Sequence, residues 1–248
     1  SWEERTRLER LRDEDPIALQ DALNTSVALV DAAREGDLEE MRRVVADSVP
    51  GEFLQVFTLQ AFAIALKGVA LDMVQDMVNW GVPVEHEQLS QALHLVCEVT
   101  NRDNFSNAWR ILQLLLKGNS EGRIHIDTPR IYDGWTPLCV ACSDACLPLA
   151  FKLLELDADP NVITRANETP VSLARRQQPN DNEEQREARE IIANMLQHYG
   201  GKELWHESLA ALRAPRRRVN KSQETANYQE GLEVVQERVS TTHTRFSA

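Results

Sequence analysis

The sequence predicts an all-α solenoid of stacked helix–turn–helix units, and three observations carry that expectation. Apolar positions recur at a fixed distance: Leu38, Met41, Val44 and Val45 return as Leu71, Val74, Met77 and Val78, each 33 residues on. The helix-opening string Trp135-Thr136-Pro137-Leu138 returns 33 residues later as Glu168-Thr169-Pro170-Val171. Within each unit the apolar residues fall three and four apart, the spacing of one helix face, while strand propensity is low throughout. One such unit has a single greasy face and cannot stand alone; stacking the faces makes one continuous core.

Taken in order, residues 1–14 are charged at nearly every position, with Leu8 and Leu11 as a thin apolar stripe. Asp15-Pro16 breaks that exposed helix before a second begins. Residues 1–25 are thus expected to form an amino-terminal helical cap, because a solenoid needs polar-faced ends. The first unit spans Ser26 to Val49: Leu29, Ala32 and Ala33 form its inner helix, Gly36-Asp37 turns the chain, and Leu38 to Val45 form the outer helix. In the third unit Leu93-His94-Leu95-Val96-Cys97 occupies the inner position. Ile111, Leu114 and Leu115 follow as the outer helix, after a longer loop from Thr100 to Asn107.

The fourth unit is preceded by an excursion from Asn119 to Asp133 and a tight turn at Gly134. Thr136 can cap a helix starting at Pro137, whose missing N–H costs nothing at a first helical position. Leu138 and Ala141 give it a narrow apolar face, a second helix runs from Leu147 to Leu156, and Ala158-Asp159-Pro160-Asn161 closes the unit. The fifth unit starts at Thr169-Pro170, carries an insertion from Gln177 to Glu187, and ends with an outer helix bearing Ile192, Met195 and Leu196. After Gly200-Gly201, Lys202 to Leu212 reads as a helix with Leu204, Trp205, Leu209 and Leu212 apolar, so residues 201–213 are expected to be a carboxy-terminal cap.

The Thr136-Pro137-Leu138 start with Ala141, and the closing Ala158-Asp159-Pro160-Asn161, resemble the ankyrin repeat family. Its signature is a T-P-L-H-x-A helix start and a G-A-D-P-N turn. Cys139 stands where the family usually has His, and Asp157 where it usually has Gly, while His94 in the third unit does match. The resemblance covers about five repeats over residues 26–200, with motif-grade matches in the fourth and fifth. It implies recognition through finger tips and the concave inner-helix face. Arg130, Tyr132 and Trp135, around the finger before the fourth repeat, are the candidate contacts there, since aromatic residues and arginine are favoured interface anchors.

The remaining residues, 214–248, read as an extended partner-binding tail. Arg213, Arg216, Arg217, Arg218 and Lys221 form a basic cluster, and residues 222–248 have too few apolar groups to fold alone. Tyr228, Leu232, Val235 and Val239 fall at helical spacing and offer a stripe for a partner; Val239 to Phe246 could instead lie extended along a neighbour. Contact of Arg216 to Lys221 with anionic lipid is a minor alternative to an acidic protein or a solvated linker.

Composition bounds the function classes. At 248 residues and 42% hydrophobic, the chain can bury a sizeable core. A formal net charge of −12 argues against general nucleic-acid binding, which needs cations to displace counterions. No apolar run approaches the roughly 18–20 residues that span a bilayer. Four cysteines, three of them within one predicted helix, are no disulfide framework and point to a reducing compartment. The expectation is an intracellular, soluble or peripheral protein, cytoplasmic first, with an organelle after removal of a targeting segment as the alternative.

No constellation for catalysis survives inspection. Gly118-Asn119-Ser120-Glu121-Gly122 matches the hydrolase elbow G-x-S-x-G, but a helix pattern enters it where that motif needs a strand. His86-Glu87 and His206-Glu207 lack a second histidine, and Gly200-Gly201-Lys202 lacks phosphate-loop spacing. His94, Cys97, Cys139 and Cys142 fall level on neighbouring inner helices and compose a formal Cys₃His zinc set, yet buried thiols explain them more simply. The expected function is therefore non-enzymatic, without metal or cofactor: an accessory or structural subunit of a large multiprotein assembly, bound to other protein subunits. The alternative is a free regulatory ankyrin protein that masks a site on an enzyme or transcription factor.

Overall fold

The computed structural model describes residues 2–47, 54–84, 89, 91–117 and 125–204. Several candidates lie outside the described residues: the Gly118–Gly122 elbow with Ser120, His86-Glu87, Trp205 to Arg213, the basic cluster Arg216, Arg217, Arg218 and Lys221, and Tyr228, Leu232, Val235, Val239 and Phe246 of the tail.

Among the described residues every regular element is an α-helix. Helix α1 (Trp2–Glu14) is followed by five helix pairs: α2 (Pro16–Glu35) with α3 (Leu38–Ala46), α4 (Gln55–Lys67) with α5 (Leu71–Asn79), α6 (Ala92–Cys97) with α7 (Phe105–Lys117), α8 (Pro137–Ser143) with α9 (Leu147–Glu155), and α10 (Pro170–Arg175) with α11 (Glu183–His198). Each inner helix packs on its own outer helix. Inner helices α2, α4, α6, α8 and α10 pack on one another in that order, and outer helices α5, α7, α9 and α11 do the same. The pairs are arrayed in sequence order, as the 33-residue recurrence predicts. Arg42 of α3 reaches Asp76 of α5 at 2.7 Å, and α1 packs on α2.

The core lies between the two helix layers, where Leu29, Met41, Phe62, Met77, Ile111, Leu138 and Leu149 are all fully enclosed. Burying each such side chain contributes about 1.5–3 kcal/mol relative to leaving it in water. Arg189 of α11 is enclosed too. It forms an ion pair with Asp181 at 2.7 Å and donates to the Cys142 and Ser143 carbonyls at the end of α8, tying the fifth pair to the fourth.

Helix ends follow one device. Gly36, Val69 and Ala145 terminate α2, α4 and α8 with positive φ (73°, 51° and 55°). The next N–H in each case returns to the carbonyl of Ala32, Ala65 or Ala141, at 3.0, 3.1 and 2.9 Å. Gly81, Asp157 and Gly200 repeat the device after α5, α9 and α11. Helix starts are capped by Asp15, Asp37, Thr136 and Thr169, with proline in the first turn of α2, α8 and α10.

Three expected boundaries move. Helix α7 starts at Phe105, not after Asn107, because Asn101 and Asn104 clasp each other's backbone N–H (2.8 and 3.1 Å) and close the loop early. Helix α11 starts at Glu183, inside the expected Gln177–Glu187 insertion. Asn182 and Gln185 form a reciprocal capping box there, and Glu183 and Glu184 face the positive helix end. Lys202 to Leu204 do not open a helix. The Lys202 N–H donates to Asn161 Oδ1 at 3.0 Å and the Glu203 carbonyl accepts from Thr169 Oγ1 at 2.9 Å, which holds the backbone against the fourth and fifth units.

Candidate functional site

The finger from His125 to Trp135 is built from its own backbone outward. Asp127 Oδ1 accepts the Asp159 N–H at 2.9 Å, tying the finger's base to the turn that closes the same unit. The Arg130 N–H donates to the Trp135 carbonyl at 2.7 Å, and the Gly134 N–H donates to the Arg130 carbonyl at 2.9 Å. Gly134 sits at φ 74°, and a Cβ there would stand 3.3 Å from both Cγ and N of Arg165. That close approach, with the left-handed backbone, favours glycine.

Arg130 is the clamp of this loop. Its side chain is only 11% exposed; Nη2 meets Asp133 Oδ2 at 2.5 Å, and Nη1 meets Glu98 Oε1 at 2.5 Å from the preceding unit. The guanidinium also lies 4.8 Å from the Tyr132 ring centroid and 5.0 Å from that of Trp135. Burial pushes the Asp133 carboxyl up, but hydrogen bonds from Arg130 and the Trp135 N–H outweigh it and hold the group below the usual carboxylate range. Arg130 is raised by the same contacts, working against its own burial.

The three finger residues read from the sequence thus come together but do different things. Arg130 is largely enclosed and engaged by Asp133 within the finger and by Glu98 of the preceding unit. Trp135 is half-buried, and its carbonyl lies 3.0 Å from His94 Nε2 as well as accepting from Arg130. Tyr132 stands 68% exposed, beside Ile131 at 69%. Next to this tip lies a residue that sequence reasoning missed: the Arg165 N–H donates to the Asp133 carbonyl at 2.9 Å, and its exposed guanidinium has no partner among the described residues. The signal that could have found it is the period itself, since Arg165 stands 33 residues after Tyr132, at the matching place of the next unit.

His94 is 1% exposed. Because a carbonyl can only accept, Nε2 carries the proton, and Nδ1 is left buried with no partner. Burial lowers its pKa from the ordinary imidazole value, against the raising effect of the Trp135 carbonyl and helped by nearby Arg130. Cys97, Cys139, Cys142 and Cys146 are all free and buried. Burial pushes Cys139 up to about 11 and raises the other three as well, so all four remain thiols near neutrality. Among the described residues no group of three or more His, Cys, Asp or Glu side chains is placed to hold a metal ion. The formal His94, Cys97, Cys139 and Cys142 set therefore does not assemble: His94 turns its proton to a carbonyl, and Cys139 Sγ lies 3.5 Å from Thr136 Oγ1.

Residues 133–165 match the family model of the ankyrin repeat, from the finger residue Asp133 through α8 and α9 to Arg165. The chain therefore contains an ankyrin repeat, and the ladder of helix pairs continues on both sides of it in the manner of an ankyrin-repeat solenoid. Such repeats are protein-interaction modules. No curated protein matches the chain. No helix among the described residues is long and apolar enough to cross a membrane.

Proposed function

We propose that this chain is a non-catalytic interaction module that serves as an accessory or structural subunit of a larger protein assembly, with the tip Ile131-Tyr132 as a primary contact. The observation that carries the reading is an exposed aliphatic–aromatic pair on a loop braced at its root. Side chains held in place before docking lose little freedom on binding. Residues 214–248 add a second, tethered contact that raises the effective concentration of the first. Chromatography of native extract tests this. The wild-type chain should elute at high apparent mass with fixed companions, and a variant carrying Ile131→Ala and Tyr132→Ala should shift to monomer size while keeping its helical circular-dichroism spectrum. Monomeric elution of the wild type would instead favour a free regulator that masks a site on one partner.

A further inference from the structure

We infer that the finger tip takes a protein segment bearing an isolated carboxylate beside an apolar side chain, with the apolar group on Ile131 and Tyr132 and the carboxylate on Arg165; this rests on the interaction reading above. The argument begins with proximity. The Arg165 N–H is bonded to the Asp133 carbonyl, and its Cγ runs past Gly134, so the stem crosses the base of the tip. Asp133, whose carbonyl accepts the Arg165 N–H, turns its carboxylate to Arg130 and the Trp135 N–H instead. Several exposed arginines elsewhere are matched, Arg42 with Asp76, Arg102 with Glu184, Arg175 with Glu203, and Arg176 with Glu168, whereas Arg10 and Arg110, like Arg165, have no partner among the described residues. Arg165 is unmatched and adjoins exposed apolar side chains.

A guanidinium recognises carboxylate through two parallel N–H donors, and tyrosine with arginine is a frequent pairing at the energetic centre of interfaces. The chemistry of the partner is narrowed by the rest of the chain. One unpaired cation at the finger tip of a molecule of net charge −12 does not gather a polyanion, which argues against nucleic acid as the occupant. The same net charge repels a run of acids, so a single carboxylate flanked by aliphatic or aromatic residues fits best.

The test is selection of random dodecapeptides displayed on phage against the full chain. Recovered peptides should carry one Asp or Glu next to Leu, Ile, Val or Phe. Their affinity should fall about tenfold or more with Tyr132→Ala and with Arg165→Glu, and a Lys-for-acid peptide should recover binding to Arg165→Glu. Arg165→Gln, a change on an exposed side chain, should show an intermediate loss with an unaltered melting curve. Peptides lost on Tyr132→Ala but indifferent to Arg165→Glu would overturn the acidic partner and leave the finger as a contact. Peptides indifferent to both changes, or no enrichment at all, would overturn the finger reading itself. Peptides recovered only after removal of residues 214–248 would show the chain's own tail on the tip, and the inference of an external partner would fall.

Discussion

Truncating Arg130 removes two carboxylate partners and two ring contacts at once, and leaves Asp133 partly enclosed without its cation. Arg130→Ala should therefore lower stability by about 2–3 kcal/mol in chemical denaturation. Arg130→Lys should restore little, since an ammonium cannot grip both oxygens of Asp133 while spanning to Glu98. His94 predicts a dependence on acidity. Its folded pKa lies below the unfolded value of about 6.5, so the unfolded chain binds a proton that the folded chain refuses. The stability tied to His94 is complete above about pH 6.5 and is lost as pH falls toward the folded pKa, with Arg130, Glu98 and Asp133 as the charged groups around it. Denaturation midpoints measured at about pH 7 and about pH 5 should differ less for His94→Gln than for wild type. The histidine itself was visible in the sequence. What it touches was not, because the Trp135 carbonyl belongs to the following unit.

At the scale of the elements, the left-handed turns are the part of the fold where sequence and backbone disagree. Gly36 announces its turn. Val69 and Ala145 fill the same structural position without glycine, and Asp157 fills the corresponding position after α9. Ala145→Gly should raise stability by about 0.5–1 kcal/mol by relieving a backbone that disfavours Cβ. Gly36→Ala should lower it by about 1 kcal/mol through the backbone alone, as no atom lies within 4 Å of the added carbon. Thermal melts of the two variants check both signs. The Thr136-Pro137 and Thr169-Pro170 starts were legible because cap and proline are local chemistry. The α11 start was equally local, yet the Asn182–Gln185 box sits in a polar stretch that resembles a loop until its hydrogen bonds are seen.

For the whole molecule, the ladder of pairs was legible because the outer helices repeat their apolar spacing, and that spacing is what neighbouring units share. The bracing of the finger was not, since Arg130 reaches Glu98 across the boundary between units, where no periodicity operates. The four cysteines lie on the third and fourth pairs, all buried, so they report on the middle of the stack. A thiol reagent should leave the native chain unlabelled on the timescale in which it labels all four in denaturant. Rapid labelling of Cys97 or Cys142 in the native chain would show that neighbouring units separate readily.

Asp133 has a further role. Its carboxylate grips Arg130 while its carbonyl receives the Arg165 N–H, so one residue is the common joint of two consecutive loops. Neither loop can be repositioned without straining that joint. Pulling the finger away from the loop that follows would break the bond from the Arg165 N–H to the Asp133 carbonyl, so the two loops are hinged together at a single residue.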